Sequence, residues 1–244
     1  MSTHLWTEDA AASYDASSAA MFAPEVLGPA VDFLAARAAG GAALELAVGT
    51  GRVALALADR GVPVHGVELS EPMAARLAAK PGGDRVPVTI GDMATATAPG
   101  RFRLVYLVFN GITNLLTQDA QVACFANAAR HLEPGGAFVC EVFVPQLRRL
   151  PPGEVAIPFD VTEEHLGFDR YDVVEQRLVS HHYGTAPDGT ITTGRSPHRY
   201  AWPAELDLMA RMAGMTRTER RADFAGSPFT AESPSHVSVW RTPA

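Results

Sequence analysis

The chain has 244 residues, of which 47% are hydrophobic and 19% are charged, and its formal net charge is −7. This hydrophobic content excludes a disordered chain, and the length suits one large domain or one domain with an insertion. The acidic balance argues against a nucleic-acid partner, because neutralising phosphates requires a basic face. We find neither a membrane-length apolar run nor a signal peptide, so we expect no membrane association and a cytoplasmic protein.

Two cysteines, Cys124 and Cys140, lie in different predicted elements and match no metal-binding or redox spacing. We therefore expect thiols buried in the core of a protein from a reducing compartment, and no metal site. Arginine dominates the basic residues, and Lys80 is the one lysine of the chain.

The first 144 residues alternate between helical and strand patterns. Residues 25–39 have apolar side chains at helical spacing and end at Gly40-Gly41, which predicts the helix of an N-terminal lid. Five strands are then predicted at 42–48, 62–67, 86–90, 101–109 and 137–144, and three helices at 52–60, 71–79 and 118–131. This order indicates repeated βαβ units and a mainly parallel sheet.

After Pro145 the pattern changes. Residues 171–183 and 190–202 are predicted as strands around the turn Pro187-Asp188-Gly189. A helix from Pro203 through Ala213 and strands near 215–222 and 236–241 complete the chain. We interpret 1–244 as a single domain: an N-terminal helical lid at 1–40, a cofactor-binding core at 42–144, an antiparallel β insertion that forms a cap at 145–202, and the last helix and two strands at 203–244.

The strongest local signal is the run Gly49-Thr50-Gly51-Arg52 between the first strand and its helix. Glycines there allow a ligand to approach the backbone, and the helix N-terminus offers free amides to an anionic group. The run also satisfies the loose dinucleotide-binding pattern, so by itself it does not select one ligand. Glu45, inside the first strand, is more selective, because a buried carboxylate needs a partner such as a cationic ligand.

Two further acidic positions follow the next strands. Glu68 ends the second strand, where a carboxylate can accept hydrogen bonds from both hydroxyls of a ribose. Asp92 and Met93 follow the third strand, where an acid can accept from an adenine amine and an apolar neighbour can cover the ring.

The run ELAVGTGR, the acid in GVELS, the GDM and the PGG before the fifth strand together resemble the class I S-adenosylmethionine-dependent methyltransferases. The resemblance covers residues 42–144 well and the C-terminal part more loosely. It implies an α/β, Rossmann-like fold with a seven-stranded, mostly parallel sheet, an antiparallel last strand and helices on both faces. It also implies S-adenosylmethionine as the methyl donor and S-adenosylhomocysteine as the product.

The resemblance assigns roles to individual residues. Gly49 and Gly51 would lie against the amino-acid part of the cofactor, Glu45 would position its amine, and Tyr14 would close over it. Glu68 would hold the ribose, and Asp92 and Met93 the adenine. The other expected cofactor contacts are Ala47, Arg52, Leu69, Met73 and Phe109.

The substrate side is less defined. The fourth strand ends in Phe109-Asn110, and the following Gly111-Ile112-Thr113-Asn114 replaces the Pro-Pro-aromatic run of members that methylate base amines or glutamine amides. This departure favours a small-molecule acceptor. Asn110, Asn114 and Arg199 are the expected substrate contacts.

Three residues are candidates for acid–base catalysis. His181 and His182 are adjacent in a predicted strand and must point to opposite faces, so one of them is expected to face the cofactor. Glu141, near the end of the fifth strand, is the third candidate. A neutral amine acceptor needs no base in the transition state, whereas a hydroxyl or carbon acid does, and the acceptor atom stays open.

We therefore predict a small-molecule methyltransferase of secondary metabolism, similar to members that modify amino sugars, amino acids or natural-product scaffolds. One alternative is a nicotinamide-dependent oxidoreductase, which Glu45 and the lack of a Tyr-x-x-x-Lys pair disfavour. The other is a non-catalytic module that binds S-adenosylmethionine. The oligomeric state stays open, and a homodimer is one of the states that the sequence permits.

Overall fold

The computed structural model describes residues 7–186 and 188–244 and contains two β-sheets. The strands are β1 (Ala43–Leu46), β2 (Val64–Glu68), β3 (Val88–Ile90), β4 (Phe102–Leu107), β5 (Leu132–Phe143), β6 (Ala156–Val161), β7 (His165–Asp172), β8 (Arg177–Thr185), β9 (Ile191–Arg199), β10 (Thr216–Arg221) and β11 (Ser235–Arg241). The larger sheet has the order β10-β11-β5-β4-β1-β2-β3. Strands β1 to β5 are parallel, and β11 is antiparallel to both of its neighbours. The predicted seven-stranded, mostly parallel sheet is confirmed.

Within residues 7–186 and 188–244, six α-helices accompany the strands. They are α1 (Glu8–Ser17), α2 (Pro24–Ala38), α3 (Arg52–Asp59), α4 (Glu71–Ala78), α5 (Gln118–His131) and α6 (Pro203–Met212). The hydroxyls of Ser70 and Thr117 accept from amides in the first turns of α4 and α5, so local capping fixes where both helices begin. Within the described part of the chain, none of these helices has the length and apolar character that a membrane crossing requires.

Apolar side chains cover both faces of the larger sheet. On one face, residues of α2, α3 and α4 such as Leu34, Leu57 and Leu77 form a buried cluster. On the other face, Phe125 of α5 packs edge-on against Trp240 of β11 within a second cluster. Cys124 and Cys140 are buried free thiols in this second cluster, as predicted. Both faces of the sheet are therefore covered, and the carboxyl ends of its parallel strands stay accessible.

The start of the fifth strand differs from the prediction. The sequence places the Pro134-Gly135-Gly136 run before a strand predicted to start at residue 137, but β5 already begins at Leu132 and contains these residues. Gly135 has φ +67°, and the register with β4 shifts at this point. The glycines therefore form an irregularity inside a long strand. Because proline and glycine are typical of turns, the sequence pattern predicts a later start for this strand.

The cap also differs from the prediction, because it contains four strands in the order β6-β7-β8-β9. The predicted strand 171–183 is wrong: Asp172 Oδ1 accepts from the amides of Val174 and Glu175, and this turn separates β7 from β8. Val173 and Val174 are exposed turn residues that imitate a strand pattern. Of the predicted turn at 187–189, Pro187 lies outside the described residues, as do residues 1–6 of the predicted lid.

The pairing of β7, β8 and β9 gives the cap two distinct faces. One face carries Asp169, Ser180, His182, Ser196 and His198, and we call it the inner face because it lies toward the ends of the parallel strands. The opposite, outer face carries Phe168 and His181. The predicted alternation of His181 and His182 is thus confirmed. The division of 1–244 into one domain with four segments stays a prediction.

Candidate active site

A cleft lies at the carboxyl ends of β1, β2 and β4, beneath the inner face of the cap. Its walls come from five parts of the chain: the N-terminal helix, β1 with the loop and first turn of α3 after it, the end of β2 with α4, the segment after β4, and the end of β9. The lining residues are Tyr14, Glu45, Ala47, Val48, Gly49, Thr50, Arg52, Val53, Glu68, Met73, Val108, Phe109, Asn110, Gly111, Thr113, Asn114, Ser196 and His198.

The two glycines after β1 serve different purposes. Gly49 has φ +57°, and a Cβ at this position would have no heavy atom within 4 Å, so it would project into open space. Gly51 has φ +83°, and a Cβ there would lie 2.7 Å from Leu77 Cγ on α4. Gly49 therefore keeps room for a ligand beside the backbone, whereas Gly51 permits close packing of the loop on α4.

Glu68 links the end of β2 to this loop. Its Oε2 accepts from the Gly49 amide at 2.8 Å, and its Oε1 accepts from the Ser70 amide at 2.8 Å. Burial raises the pKa of Glu68, while the amide hydrogen bonds oppose that increase. Because each carboxylate oxygen has two lone-pair sites, Glu68 retains the capacity to accept from ligand hydroxyls.

Glu45 is a buried carboxyl at the floor of the cleft. Its Oε2 accepts from the Tyr106 hydroxyl at 2.9 Å, and the residue is 3% exposed. Burial raises the pKa of Glu45 to about 8, against the opposing effects of the Tyr106 hydroxyl and the Arg52 charge. A cation bound in the cleft would favour the ionised form, so this carboxyl is matched to a cationic ligand group.

The N-terminal helix is fixed to the glycine loop by an interaction that the sequence interpretation missed. Asp15 accepts a hydrogen bond from the Thr50 hydroxyl and forms an ion pair with Lys80, whose Nζ also donates to the Thr50 carbonyl at 2.8 Å. Tyr14, the neighbouring residue, lines the cleft, and burial raises the pKa of its hydroxyl. A Tyr-Asp pair at the predicted lid was the available signal, but the partners of Asp15 are distant in sequence.

The segment after β4 is held in a left-handed conformation, with φ +51° at Phe109 and φ +61° at Asn110. Glu141 Oε2 accepts from the Phe109 amide at 2.9 Å, and Asn110 Oδ1 accepts from the Phe143 amide at 2.8 Å. Burial raises the pKa of Glu141. Glu141, predicted as catalytic, thus braces the strained segment that presents Phe109 to the cleft.

Four predicted cofactor contacts lie beyond the walls of this cleft: Gly51, Leu69, Asp92 and Met93. Asp92 Oδ1 accepts from the Ala94 amide at 2.8 Å at the end of β3. Met93 is 1% exposed and belongs to the core cluster around α5. These positions stay predictions for the adenine end of a cofactor site.

The histidine nearest the cleft is His198, which sequence reasoning did not select. Its Nδ1 lies 3.1 Å from the Thr113 hydroxyl and its Nε2 lies 2.8 Å from the Ser196 hydroxyl. Burial lowers the pKa of His198, and the nearby His182 lowers it further, while Asp169 opposes both effects. A correct strand register would have revealed this residue, because His198 lies two residues after Ser196 in β9 and therefore shares its face of the sheet.

The three cap side chains that the sequence did predict as site residues lie outside the walls of the cleft. His181 is on the outer face, where its ring stacks on Phe168 with centroids 4.8 Å apart, so its predicted catalytic role is not supported. His182 is on the inner face but outside the cleft walls, with Nδ1 at 3.2 Å from His165 Nε2. Arg199, predicted to bind substrate, is buried against Gln121 and Glu205, which corrects that prediction to a structural role.

Comparison with known proteins identifies the family. A methyltransferase domain model matches residues 43–136. The cypemycin N-terminal methyltransferase from Streptomyces sp is 31% identical over 196 residues, which cover 78% of this chain and 78% of that protein. The chain belongs to the S-adenosylmethionine-dependent methyltransferases. The sequence resemblance is thereby confirmed.

Two solved structures agree with the assignment of this chain to the methyltransferase family. The CcbJ methyltransferase from Streptomyces caelestis is 42% identical, with a TM-score of 0.80 over 88% of this chain and 89% of that one. The structure of CalS10, an amino pentose methyltransferase from Micromonospora echinaspora with S-adenosylmethionine bound, is 21% identical, with a TM-score of 0.67 over 89% and 91% of the two chains. The latter similarity concerns the fold.

The cleft of the methyltransferase suits its cofactor, S-adenosylmethionine. The open space beside Gly49, the carboxyl of Glu68 and the buried carboxyl of Glu45 match a ligand that carries a ribose, an amine and a sulfonium. When bound, this cofactor supplies a methyl group on a good leaving group. The family assignment decides against the alternative of a nicotinamide-dependent oxidoreductase and against a module without catalytic activity.

Proposed function

We propose that this methyltransferase N-methylates a small-molecule amine of the natural-product type, in the cytoplasm and without a nucleic-acid or membrane partner. The observation that carries the proposal is the continuity of the cleft. One end is formed by Gly49 and Glu68, and the other by Asn114, Ser196 and His198 under the cap. A cofactor at the first end and a small acceptor at the second would therefore meet in one continuous cleft.

The choice of nitrogen has two supports. The 31% identical relative is named an N-terminal methyltransferase, and an N-terminus presents an amine. The acidic net charge of −7 also favours a cationic acceptor over an anionic one.

In this proposal the residues of the cleft bind and align the two reactants. Glu68 accepts from the ribose hydroxyls, Glu45 pairs with the cofactor amine, and Tyr14 covers the site from the N-terminal helix. Phe109 and Asn110 border the reacting centre at the end of β4. Alignment and exclusion of water are the contributions that these residues would make to such a transfer.

The cytoplasmic location is supported by Cys124 and Cys140, which are buried as free thiols. Disulfides are rare in the reducing cytosol, and unpaired buried thiols are common there.

The test is an acceptor screen with the purified full chain and S-adenosylmethionine. The panel contains amino sugars, amino-acid esters and short peptides with a free N-terminus, each matched with an analogue in which a hydroxyl replaces the amine. We expect amines to gain the mass of one methyl group and to release one equivalent of S-adenosylhomocysteine. Methylation of the hydroxyl analogues alone would contradict the assignment to nitrogen.

A further inference from the structure

The end of β9 places an imidazole in the cleft at the side where the acceptor is proposed to bind. We infer that His198, with Ser196 beside it, is the catalytic residue that removes a proton from the acceptor amine. This inference rests on the proposed N-methylation and names the group that performs its proton transfer.

The hydrogen bonds of His198 define which ring nitrogen carries the proton. The Thr113 hydroxyl donates its single proton to the Asn110 carbonyl at 2.8 Å. At 3.1 Å from the same hydroxyl, His198 Nδ1 must therefore be the donor. In the neutral ring Nε2 then holds the lone pair, and it accepts from the Ser196 hydroxyl at 2.8 Å. The lone pair of Nε2 therefore points toward Ser196, which lines the cleft.

The surroundings of His198 keep this ring neutral near pH 7. Burial lowers its pKa, His182 of β8 acts in the same direction, and Asp169 of β7 acts against them. Thr113, from the segment after β4, contributes a hydroxyl without charge. The ionisable side chains of the opposite cleft walls are Tyr14, Glu45, Arg52 and Glu68.

A neutral base is useful because amines are mostly protonated at this pH, with ordinary pKa values of about 8 for an α-amine and about 10 for a lysine-type amine. The acceptor R–NH₃⁺ has no lone pair until it loses a proton, which passes to Ser196 Oγ while the Ser196 hydroxyl gives its own proton to His198 Nε2. The freed lone pair forms the bond to the methyl carbon, and the carbon–sulfur bond breaks with its electron pair left on sulfur. The products are R–NH₂⁺–CH₃, S-adenosylhomocysteine and an imidazolium that returns its proton to water.

The other candidate bases are excluded by their contacts. His182 lies outside the cleft walls with its Nδ1 against His165, and His181 lies on the outer face. The Glu141 carboxylate accepts from the Phe109 amide and braces the backbone. His198 is the histidine among the cleft-lining residues of the described chain.

The first test needs no acceptor. Long-range proton–nitrogen NMR spectra of the full chain, labelled at histidine and assigned with His198→Gln, report the tautomer and charge of His198. We expect the neutral Nδ1–H form at pH 7 and protonation below the ordinary histidine pKa of about 6.5. An Nε2–H tautomer or a charged ring at pH 7 would overturn the inference. Thr113→Val removes the partner of Nδ1–H and should shift the population toward Nε2–H.

The second test measures turnover of an amine against pH. In the wild type, kcat should rise with pH through the pKa of His198 and then level off. His198→Gln should lower kcat by about 10²- to 10³-fold and remove this acidic limb, with unchanged affinity for S-adenosylhomocysteine. If His198→Gln does not fold, Thr113→Val takes its place: it favours the Nε2–H tautomer, which has no lone pair on Nε2, so kcat should fall, and an unchanged kcat would overturn the inference. His181→Gln, on the outer face of the same sheet, is the matched control and should behave as the wild type.

The two levels of the hypothesis fail differently. A wild-type enzyme that binds S-adenosylhomocysteine but methylates no amine overturns the proposed function, and the role of His198 with it. An active wild type whose His198→Gln variant keeps both kcat and the acidic limb overturns only the role of His198.

Discussion

Asp15 accepts a hydrogen bond from the hydroxyl of Thr50, although the two residues are 35 positions apart. Thr50 stands between Gly49 and Gly51 in the loop that borders the cofactor site, and Asp15 follows Tyr14 on α1. The same carboxylate pairs with Lys80, which is bonded to the backbone of that loop. The helix that brings Tyr14 over the cleft is therefore anchored to the loop itself.

Replacing Asp15 with alanine should weaken cofactor binding without changing the site directly. Loss of a hydrogen bond and a partly exposed ion pair removes about 1–2 kcal/mol, so the Kd for S-adenosylhomocysteine should rise roughly tenfold. Isothermal titration calorimetry measures this change. Asp9→Ala, an exposed acid on the same helix, is the control, and equal affinities in the two variants would contradict the anchoring role.

Glu68→Ala should weaken cofactor binding more strongly than Asp15→Ala does. The variant loses the carboxylate proposed to hold the ribose and also the acceptor for the Gly49 amide. Charge-assisted hydrogen bonds are worth about 1.5–3 kcal/mol each, so we expect the Kd for S-adenosylhomocysteine to rise by about 100-fold or more. Glu71→Ala, an exposed glutamate on the adjoining α4, serves as the control in the same titration. Retained affinity in Glu68→Ala would remove the ribose assignment.

Glu45 should make cofactor binding release protons at neutral pH. With its pKa raised to about 8 by burial, Glu45 is mostly protonated at pH 7, and a bound cation favours its ionised form. Titrations with S-adenosylmethionine in buffers of different ionisation enthalpy should detect this release. Glu45→Gln has no proton to lose and should show less release, and an unchanged value would show that another group is responsible.

The same carboxyl should also affect stability as the pH changes. Folding raises its pKa from an ordinary 4.5 to about 8, so the folded state holds an extra proton between these values. Its contribution is fully present below pH 4.5, and the free energy of unfolding falls by about 1.4 kcal/mol per pH unit as the pH rises toward 8. Chemical denaturation across this range should show a flatter profile for Glu45→Gln than for the wild type.

Arg199 should matter for stability and not for substrate affinity. Its guanidinium donates to Glu205 at 2.7 Å and to Gln121 at 2.6 Å, with 6% of the side chain exposed. Arg199→Met leaves Glu205 without its cationic partner and should lower the free energy of unfolding by about 3 kcal/mol. A double variant with Glu205→Gln should recover part of that loss. A raised KM for the acceptor in a stable Arg199→Met protein would restore the predicted substrate contact.

The cofactor half of the site was predictable because its signals are local. A carboxyl end of a parallel strand, a glycine turn and a following helix place Glu45, Gly49 and Glu68 at one edge of the sheet regardless of distant contacts. Secondary structure in this region follows the predicted boundaries closely for the same reason. Asp15 was not predictable as an anchor, because its partners Thr50 and Lys80 approach only through tertiary packing.

The acceptor half was harder because it depends on the register of an antiparallel sheet. Alternation correctly placed His181 and His182 on opposite faces, but it does not state which face lies inward. The turn after Asp172 was hidden by two exposed valines, so the pairing of β7 with β8 was lost. Without that pairing, His198 had no signal to distinguish it from the neighbouring Arg199, which points the opposite way.

Lys80 provides a single side-chain site for attaching a fluorescent dye. Since the chain has one lysine, an amine-reactive dye attaches to a single side-chain position, beside the contact between the N-terminal helix and the glycine loop. The labelling rate should fall when S-adenosylhomocysteine holds the helix in place. For the same reason, immobilisation through lysine would pull on the cover of the active site, and attachment to a biosensor surface should use another chemistry.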